Sequence, residues 1–294
     1  MSQAFWDIVR APLRLPGLEQ LWVWVCNGRW YGDSITKLAP KYYGYSPGTH
    51  RQVTRDGVKF ALDIHDFIDW EIYFGFREHA REALLALVKP GTVMLDVGTN
   101  VGTVIFRAAL QAGAEGHVFG FEPHPTNWAR LQRNRTLNPE IRNITLSQLA
   151  LGPENGTAPM AVDDPANLGR NRIVKAAAAN NAIPQQIIDI PVRRMDDEVK
   201  RFGLTQLDIV KIDTEGFEMQ VLLGAEETLR QFKPVLFIEI DDANLRAVGD
   251  SAAGLIGWLN AQGYEAHHAE TQQRITPDNA AHSSHYDILA RPGV

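Results

Sequence analysis

A mostly parallel α/β sheet covered by helices on both faces is the fold class that this sequence predicts. Three observations predict it. From Thr92 onward short apolar strands alternate with helical patterns, a glycine-bearing turn follows the first of these strands, and the second and fourth strands end in the acids Glu122 and Asp213.

The elements follow in chain order. Residues 52–60 alternate around Asp56-Gly57, the signature of a tight hairpin, and a helical stretch over 77–88 leads through Lys89-Pro90-Gly91 into the sheet. Strands are expected at 93–97, 117–122, 144–149, 207–212 and 235–240, with two short ones around 264–267 and 286–290, seven in all. Helices are expected at 102–112, 126–137, 216–229 and 252–262; in the third, Phe217, Val221, Leu222, Ala225 and Leu229 recur at helical spacing and read as core. Residues 155–186 break the rhythm with an alanine run and scattered Asn, Gly and Pro. They are expected to form a long surface insertion that covers an acceptor pocket and orders on binding. Ten of the fourteen Trp and Tyr residues fall in the first quarter, which reads as a satellite core, a homo-oligomer contact or an aromatic cap. Division into an extension (1–90) and a sheet domain (91–294) follows.

Composition narrows the partners. Net charge is −6 and no run of Lys or Arg is present, which disfavours a nucleic-acid backbone. The single cysteine, Cys26, forms no internal disulfide, and neither a signal peptide nor a membrane-spanning run is visible, so a cytoplasmic enzyme is expected.

The turn after the first strand reads Asp96-Val97-Gly98-Thr99-Asn100-Val101-Gly102, and Phe121-Glu122-Pro123-His124 follows the second strand. Glycines here let backbone approach a ligand, and an acid at the next strand tip accepts hydrogen bonds from ribose hydroxyls. The dinucleotide pattern G-x-G-x-x-G is not met, because Asn100 stands where its middle glycine would be. A ligand with an amino acid in place of phosphates suits the variant, and S-adenosylmethionine is such a ligand: ribose for Glu122, adenine for the third strand near Ala150, methionine for the turn. A nicotinamide-dependent oxidoreductase and a non-catalytic binding protein remain the competing classes.

The second chemical stretch is Lys211-Ile212-Asp213-Thr214-Glu215-Gly216-Phe217-Glu218. Asp213 and Glu215 face the crevice where open α/β sheets bind ligands, although helix capping accounts for such acids equally simply. Two chemistries fit: Asp213, or a histidine, as general base toward an acceptor hydroxyl, or Asp213 with Glu239, Asp241 and Asp242 as oxygen ligands of Mg²⁺. No histidine or cysteine spacing supports zinc.

These stretches, with Leu131-x-x-Asn134, Leu137-Asn138, Ala150-Leu151-Gly152 and Phe237-Ile238-Glu239-Ile240, occur in an order that resembles the FkbM-type methyltransferases over roughly residues 60–264. Residues 72–78, with Gly75 and Glu78, resemble that family's approach to its first strand. Asp196-Asp197 departs from it, where a Thr-Leu pair is more common. The resemblance implies a class I, Rossmann-like S-adenosylmethionine-dependent enzyme that methylates a hydroxyl of a sugar, polyketide or other small metabolite. It implies cofactor contacts from Asp96, Gly98, Thr99, Asn100, Gly102, Glu122, Pro123, His124 and Ala150.

Overall fold

The computed structural model describes residues 3–162, 172–173, 186–281 and 285–293. The chain opens with two helices, Gln3–Arg10 and Pro16–Cys26, and then a hairpin of β1 (His50–Arg55) and β2 (Val58–Asp63). Asp56 and Gly57 both take positive φ, the turn geometry that matches the twist of a two-residue hairpin. Helix Phe67–Phe74 begins at Asp66, whose side chain accepts from Ile68 and Asp69 N–H, and stops at left-handed Gly75.

The main sheet has strands β3 (Val93–Val97), β4 (His117–Phe121) and β5 (Ile144–Ser147), then β10 (Ile209–Ile212), β11 (Val235–Ile240), β12 (Tyr264–His268), β13 (Arg274–Ile275) and β14 (Tyr286–Pro292). Their order is β13-β12-β14-β11-β10-β3-β4-β5; β3, β4, β5, β10 and β11 are parallel, and β14 lies antiparallel between β11 and β12. The described sheet thus has eight strands rather than seven. The extra one, β13, is only two residues long and has no period to read.

A second correction concerns the insertion. β7 (Gly156–Val162) and β9 (Gln186–Arg193) pair antiparallel over seven residues, and with β6 (Ala150–Leu151) and β8 (Arg172–Ile173) they form a second sheet, β6-β9-β7-β8. Its ends are therefore strand, not loop; the rest of the insertion, including 167–170, lies outside the described residues. The expected third helix, likewise, is split at Gly224 into Glu218–Leu223 and Glu226–Phe232.

Side chains alternate across the sheet and build two cores. Leu95, Phe119, Val210 and Ile238 point to the side covered by helices Met195–Phe202, Glu218–Leu223 and Ala252–Ala261. Met94, Val118, Ile209 and Phe237 point to the other, where they meet Phe60, Trp70 and Phe74 from the first ninety residues and Phe106 and Leu131 from helices Ile105–Ala112 and Pro125–Leu137. Polar clamps fix the N-terminal segment there. Asn134 accepts from Ala61 N–H (2.9 Å) and donates to Val101 O (3.0 Å), Asn138 holds Lys59 through both N–H and carbonyl, and Arg130 pairs with Asp69 (2.6 Å).

The chain leaves β3 toward β4 and β5 and later returns to β10 on β3's other flank. That reversal opens a crevice beyond the carboxyl ends of β3 and β10, the place where a doubly wound sheet accepts a ligand.

Candidate active site

The crevice begins at the turn after β3. Gly98 and Asn100 adopt positive φ (82° and 51°), and Gly98 and Thr99 both donate their N–H to Phe121 O at 3.1 Å, tying the turn to the end of β4. Thr99 Oγ1 donates to Asp96 O at 2.8 Å. Glycine is required at position 98 by packing alone: a Cβ there would lie 1.8 Å from the Asp213 carbonyl oxygen. At Gly102 the obstacle is the Phe106 ring, 2.3 Å away. Both glycines serve the packing of the turn against its neighbours.

Glu122 closes this end. One carboxylate oxygen accepts from Asn100 N–H (2.8 Å) and the other from His124 N–H (2.9 Å). Burial pushes this carboxyl up to about 7 against the pull of those two donors. The Asn127 side chain also bonds this carboxylate, and the acceptor capacity left over suits a ribose hydroxyl. The ionised form is the better acceptor, so S-adenosylmethionine affinity is expected to rise between pH 6 and pH 8 as Glu122 loses its proton near 7. Glu122→Gln should flatten that dependence and weaken binding about tenfold; titration calorimetry at several pH values checks both. An unchanged pH profile in the variant removes Glu122 from the site.

Beneath the turn lies a charged knot that the sequence reading did not assign. Lys211 is buried within β10, and its Nζ donates to Gly98 O (2.9 Å) while standing 3.2 Å from both Asp96 Oδ1 and Asp213 Oδ2. Burial alone would strip its proton, but Asp213 and Asp96 together raise its affinity for it. Asp96 is fully buried; desolvation raises its carboxyl despite Lys211. It therefore sits behind the crevice wall, holding the turn through Lys211, whereas Asp213 is 40% exposed and faces the opening. A lysine amid Ile209, Val210 and Ile212 was the available signal.

The following turn is organised by Glu218, also unassigned from sequence. Its Oε1 accepts from Thr214 N–H, Thr214 Oγ1 and Gly216 N–H at 2.9–3.0 Å, which holds Glu215 at a φ of 54°. Glu215 in turn accepts from Asn244 Nδ2 at 3.0 Å. Glu239, at the end of β11, is raised well above the usual carboxyl range by burial and by Asp213 and Glu215, and its register partner Asp287 is raised by burial, Glu78 and Asp213.

The residues expected as oxygen ligands of Mg²⁺ have protein partners of their own. Asp241 caps helix Asp242–Ala247 through Ala243 and Asn244 N–H, and Asp242 is taken up by Arg246 (2.6 Å) and Ala252 N–H (2.8 Å). Among the described residues no group of three or more His, Cys, Asp or Glu side chains is arranged to hold a metal ion.

Together these groups wall a cavity of about 830 Å³. Gly98, Thr99, Asn100, Glu122, Pro123, His124 and Ala150 line one side, and Asp213, Glu215, Glu239 and Asp241 another; Asp96, Gly102 and Asp242 do not reach it. His124 is buried with no hydrogen-bond partner at Nδ1 among the described residues, and burial together with Arg130 lowers its affinity for a proton. Further wall comes from the N-terminal segment, through Tyr31, Phe67, Glu71, Glu78 and Arg81, and from Arg172, His285 and Asp287. Eight carboxyl side chains line the cavity against three Lys and Arg.

Residues 96–266, more than half of the chain, match the family model described as the methyltransferase FkbM domain. The chain belongs to the FkbM methyltransferase family. Among curated relatives, this FkbM-family chain is 28% identical over 174 residues to the 2-O-methyltransferase NoeI of Sinorhizobium fredii, a match that covers 56% of the chain and 70% of that protein. It is 26% identical over 164 residues to the 31-O-demethyl-FK506 methyltransferase FkbM of Streptomyces tacrolimicus, covering 48% of the chain and 62% of the relative. The hexuronic acid methyltransferase AglP of Haloferax volcanii is 26% identical over 153 residues, with 52% and 58% covered. A solved FkbM methyltransferase from Methylobacillus flagellatus aligns over 75% of the chain and 52% of its own length, at 18% identity and a TM-score of 0.42.

Proposed function

We propose that this FkbM-family chain is an S-adenosylmethionine-dependent O-methyltransferase acting on a hydroxyl of a sugar, polyketide or related small metabolite. The observation that carries the reading is the cavity's acidic lining, eight carboxyls against three basic side chains: burial disfavours the charge of Glu122, Glu239 and Asp287, which a bound sulfonium and ammonium would offset and a pyrophosphate would worsen. The acidic whole chain favours a small molecule over nucleic acid in the same way. Family membership supports the reaction class, the O-methyltransferase activities of NoeI and FkbM support a hydroxyl acceptor, and AglP supports a sugar-derived one.

Glu122 would hold the ribose, and His124, whose buried Nδ1 lacks a partner among the described residues, would pack with Pro123 and Ala150 against the adenosine. The turn from Gly98 to Asn100 would carry the amino-acid end. When bound, S-adenosylmethionine supplies an already activated methyl group, so the chain is left with orientation and removal of one proton. Asp213 is suited to that proton, because Lys211 fixes its carboxylate at the crevice mouth and it is exposed enough to meet an incoming hydroxyl. Glu215, held by Glu218's turn and Asn244, would position the acceptor. In this reading residues 91–294 bind the donor, and the extension of residues 1–90 completes the acceptor wall.

Calorimetry with S-adenosylmethionine, S-adenosylhomocysteine and NAD(P)H tests the reading. Binding of the first two and none of the nicotinamide dinucleotides is the expected result. Tight NADPH binding with no S-adenosylmethionine binding refutes it in favour of an oxidoreductase.

A further inference from the structure

The first two helices leave an apolar surface bare, and they do so in an unusual way. Helix Gln3–Arg10 is held to the protein by its polar side: Asp7 accepts from Tyr43 Oη (3.1 Å), and Arg10 donates to Lys37 O (2.5 Å). Arg14, just beyond, donates to Gly44 O. The opposite face, with Phe5, Ile8 and Val9 at helical spacing, points outward, and Ile8 is 73% exposed. A helix surrounded by water presents the reverse arrangement. Helix Pro16–Cys26 buries Glu19 and Cys26 and exposes Leu18, Leu21 and Trp24, the last to 76%.

Charge separates the candidate occupants. Residues 1–45 carry five Lys and Arg against three Asp and Glu, whereas the remainder of the chain carries 24 against 32. Arg10 and Arg14 are turned to the protein, and the three acids are engaged as well: Asp7 with Arg10 and Tyr43, Glu19 with Arg51 at 2.8 Å, and Asp33 with the Ile35 and Thr36 N–H groups, which leaves Arg29 and Lys37 as exposed cations of this segment. A second copy docking the same face would set basic on basic, and an anionic surface complements it. Outward Trp, Leu and Ile flanked by Arg29 and Lys37 are the composition of a helix pair that lies in a lipid headgroup layer. No helix among the described residues is long and apolar enough to cross a membrane. We infer that the two N-terminal helices seat this protein on an anionic lipid bilayer, apolar faces inserted, with no span. Tyr31, which lines the cavity, follows the second helix by five residues, so docking brings the acceptor wall close to the lipid surface.

Flotation of the full chain with vesicles tests the inference. The parent is expected to float with phosphatidylcholine–phosphatidylglycerol vesicles, less with phosphatidylcholine alone, and less again at high salt. Ile8→Glu combined with Trp24→Glu should lower the bound fraction at least about tenfold at an unchanged melting temperature. Arg29→Glu with Lys37→Glu, which touches no apolar contact, should remove only the preference for the anionic vesicles. Absence of flotation with either vesicle overturns the inference, as does equal flotation of the Ile8→Glu, Trp24→Glu protein. Sedimentation as a dimer that this variant converts to monomer, with no vesicle binding by the parent, assigns the face to a second copy and overturns it too.

Discussion

Gly98→Val is expected to destabilise the protein by more than about 3 kcal/mol, combining a branched residue at positive φ with forced displacement in a packed core. The displaced atom cannot yield cheaply. It is the Asp213 backbone carbonyl, 1.8 Å from where the new Cβ would stand, in the residue just after β10, whose own N–H is held by Val97 O at 3.1 Å and whose strand is paired on both sides. Any separation of β3 from β10 also pulls Gly98 O away from Lys211 and strains the whole knot. Total stabilities are commonly about 5–15 kcal/mol, so the variant should lose a large share of its folded population on warming. Urea denaturation reads the shift; a midpoint within error of the parent's would mean that the turn can relax outward into the cavity.

Asp213→Asn should cut methyl transfer by about 10²-fold or more, the scale of losing a positioned acid or base, while leaving S-adenosylmethionine affinity within about threefold. The amide keeps the shape but neither takes a proton nor balances Lys211. Asp96 then becomes the ammonium's one carboxylate within ion-pair distance, so a modest drop in melting temperature accompanies the loss of activity. Glu215→Gln offers the contrast, because Asn244 can still hold an amide there; a larger effect on KM for the acceptor than on kcat is expected. Parent-like turnover by the Asn variant would leave Asp213 with the knot alone.

Local chemistry was legible in the sequence. Asp56-Gly57 specified its hairpin because only left-handed residues close that turn, and five buried parallel strands announced themselves as apolar runs between helical patterns. The glycine turn and Glu122 were readable because their spacing places them at adjacent strand tips. What escaped depends on long-range register. That Lys211 meets Asp96 follows from β10 pairing with β3, more than a hundred residues away in the chain, and no local pattern encodes that pairing. The packing reason for glycine at 98 escaped for the same cause, since the obstructing Asp213 carbonyl arrives from the end of β10. Acids near strand ends looked alike in sequence, yet Asp241 and Asp242 satisfy helix N–H groups and Arg246 whereas Asp213 faces the crevice. Strands of two residues, β6, β8 and β13, are too short to carry a period.

Most of the cavity wall is drawn from two stretches, one inside the family match and one before it. Gly98 to His124 and Asp213 to Asp241 fall inside the family match of residues 96–266, whereas Tyr31, Phe67, Ile68, Glu71, Glu78 and Arg81 fall before it. The two sets face each other across the cavity, while behind them Phe60, Trp70 and Phe74 pack against the sheet with Phe106 and Leu131, and clamps such as Arg130 with Asp69 tie the segment down. Under the proposed assignment, substitutions confined to the cavity-facing side chains of the leading segment alter the acceptor wall and leave both that core and the cofactor turn in place. Exchanging Tyr31, Phe67, Ile68 and Glu71 while keeping the buried core and the clamps at Asn134, Asn138 and Arg130 is thus the route by which the proposed acceptor wall would be altered.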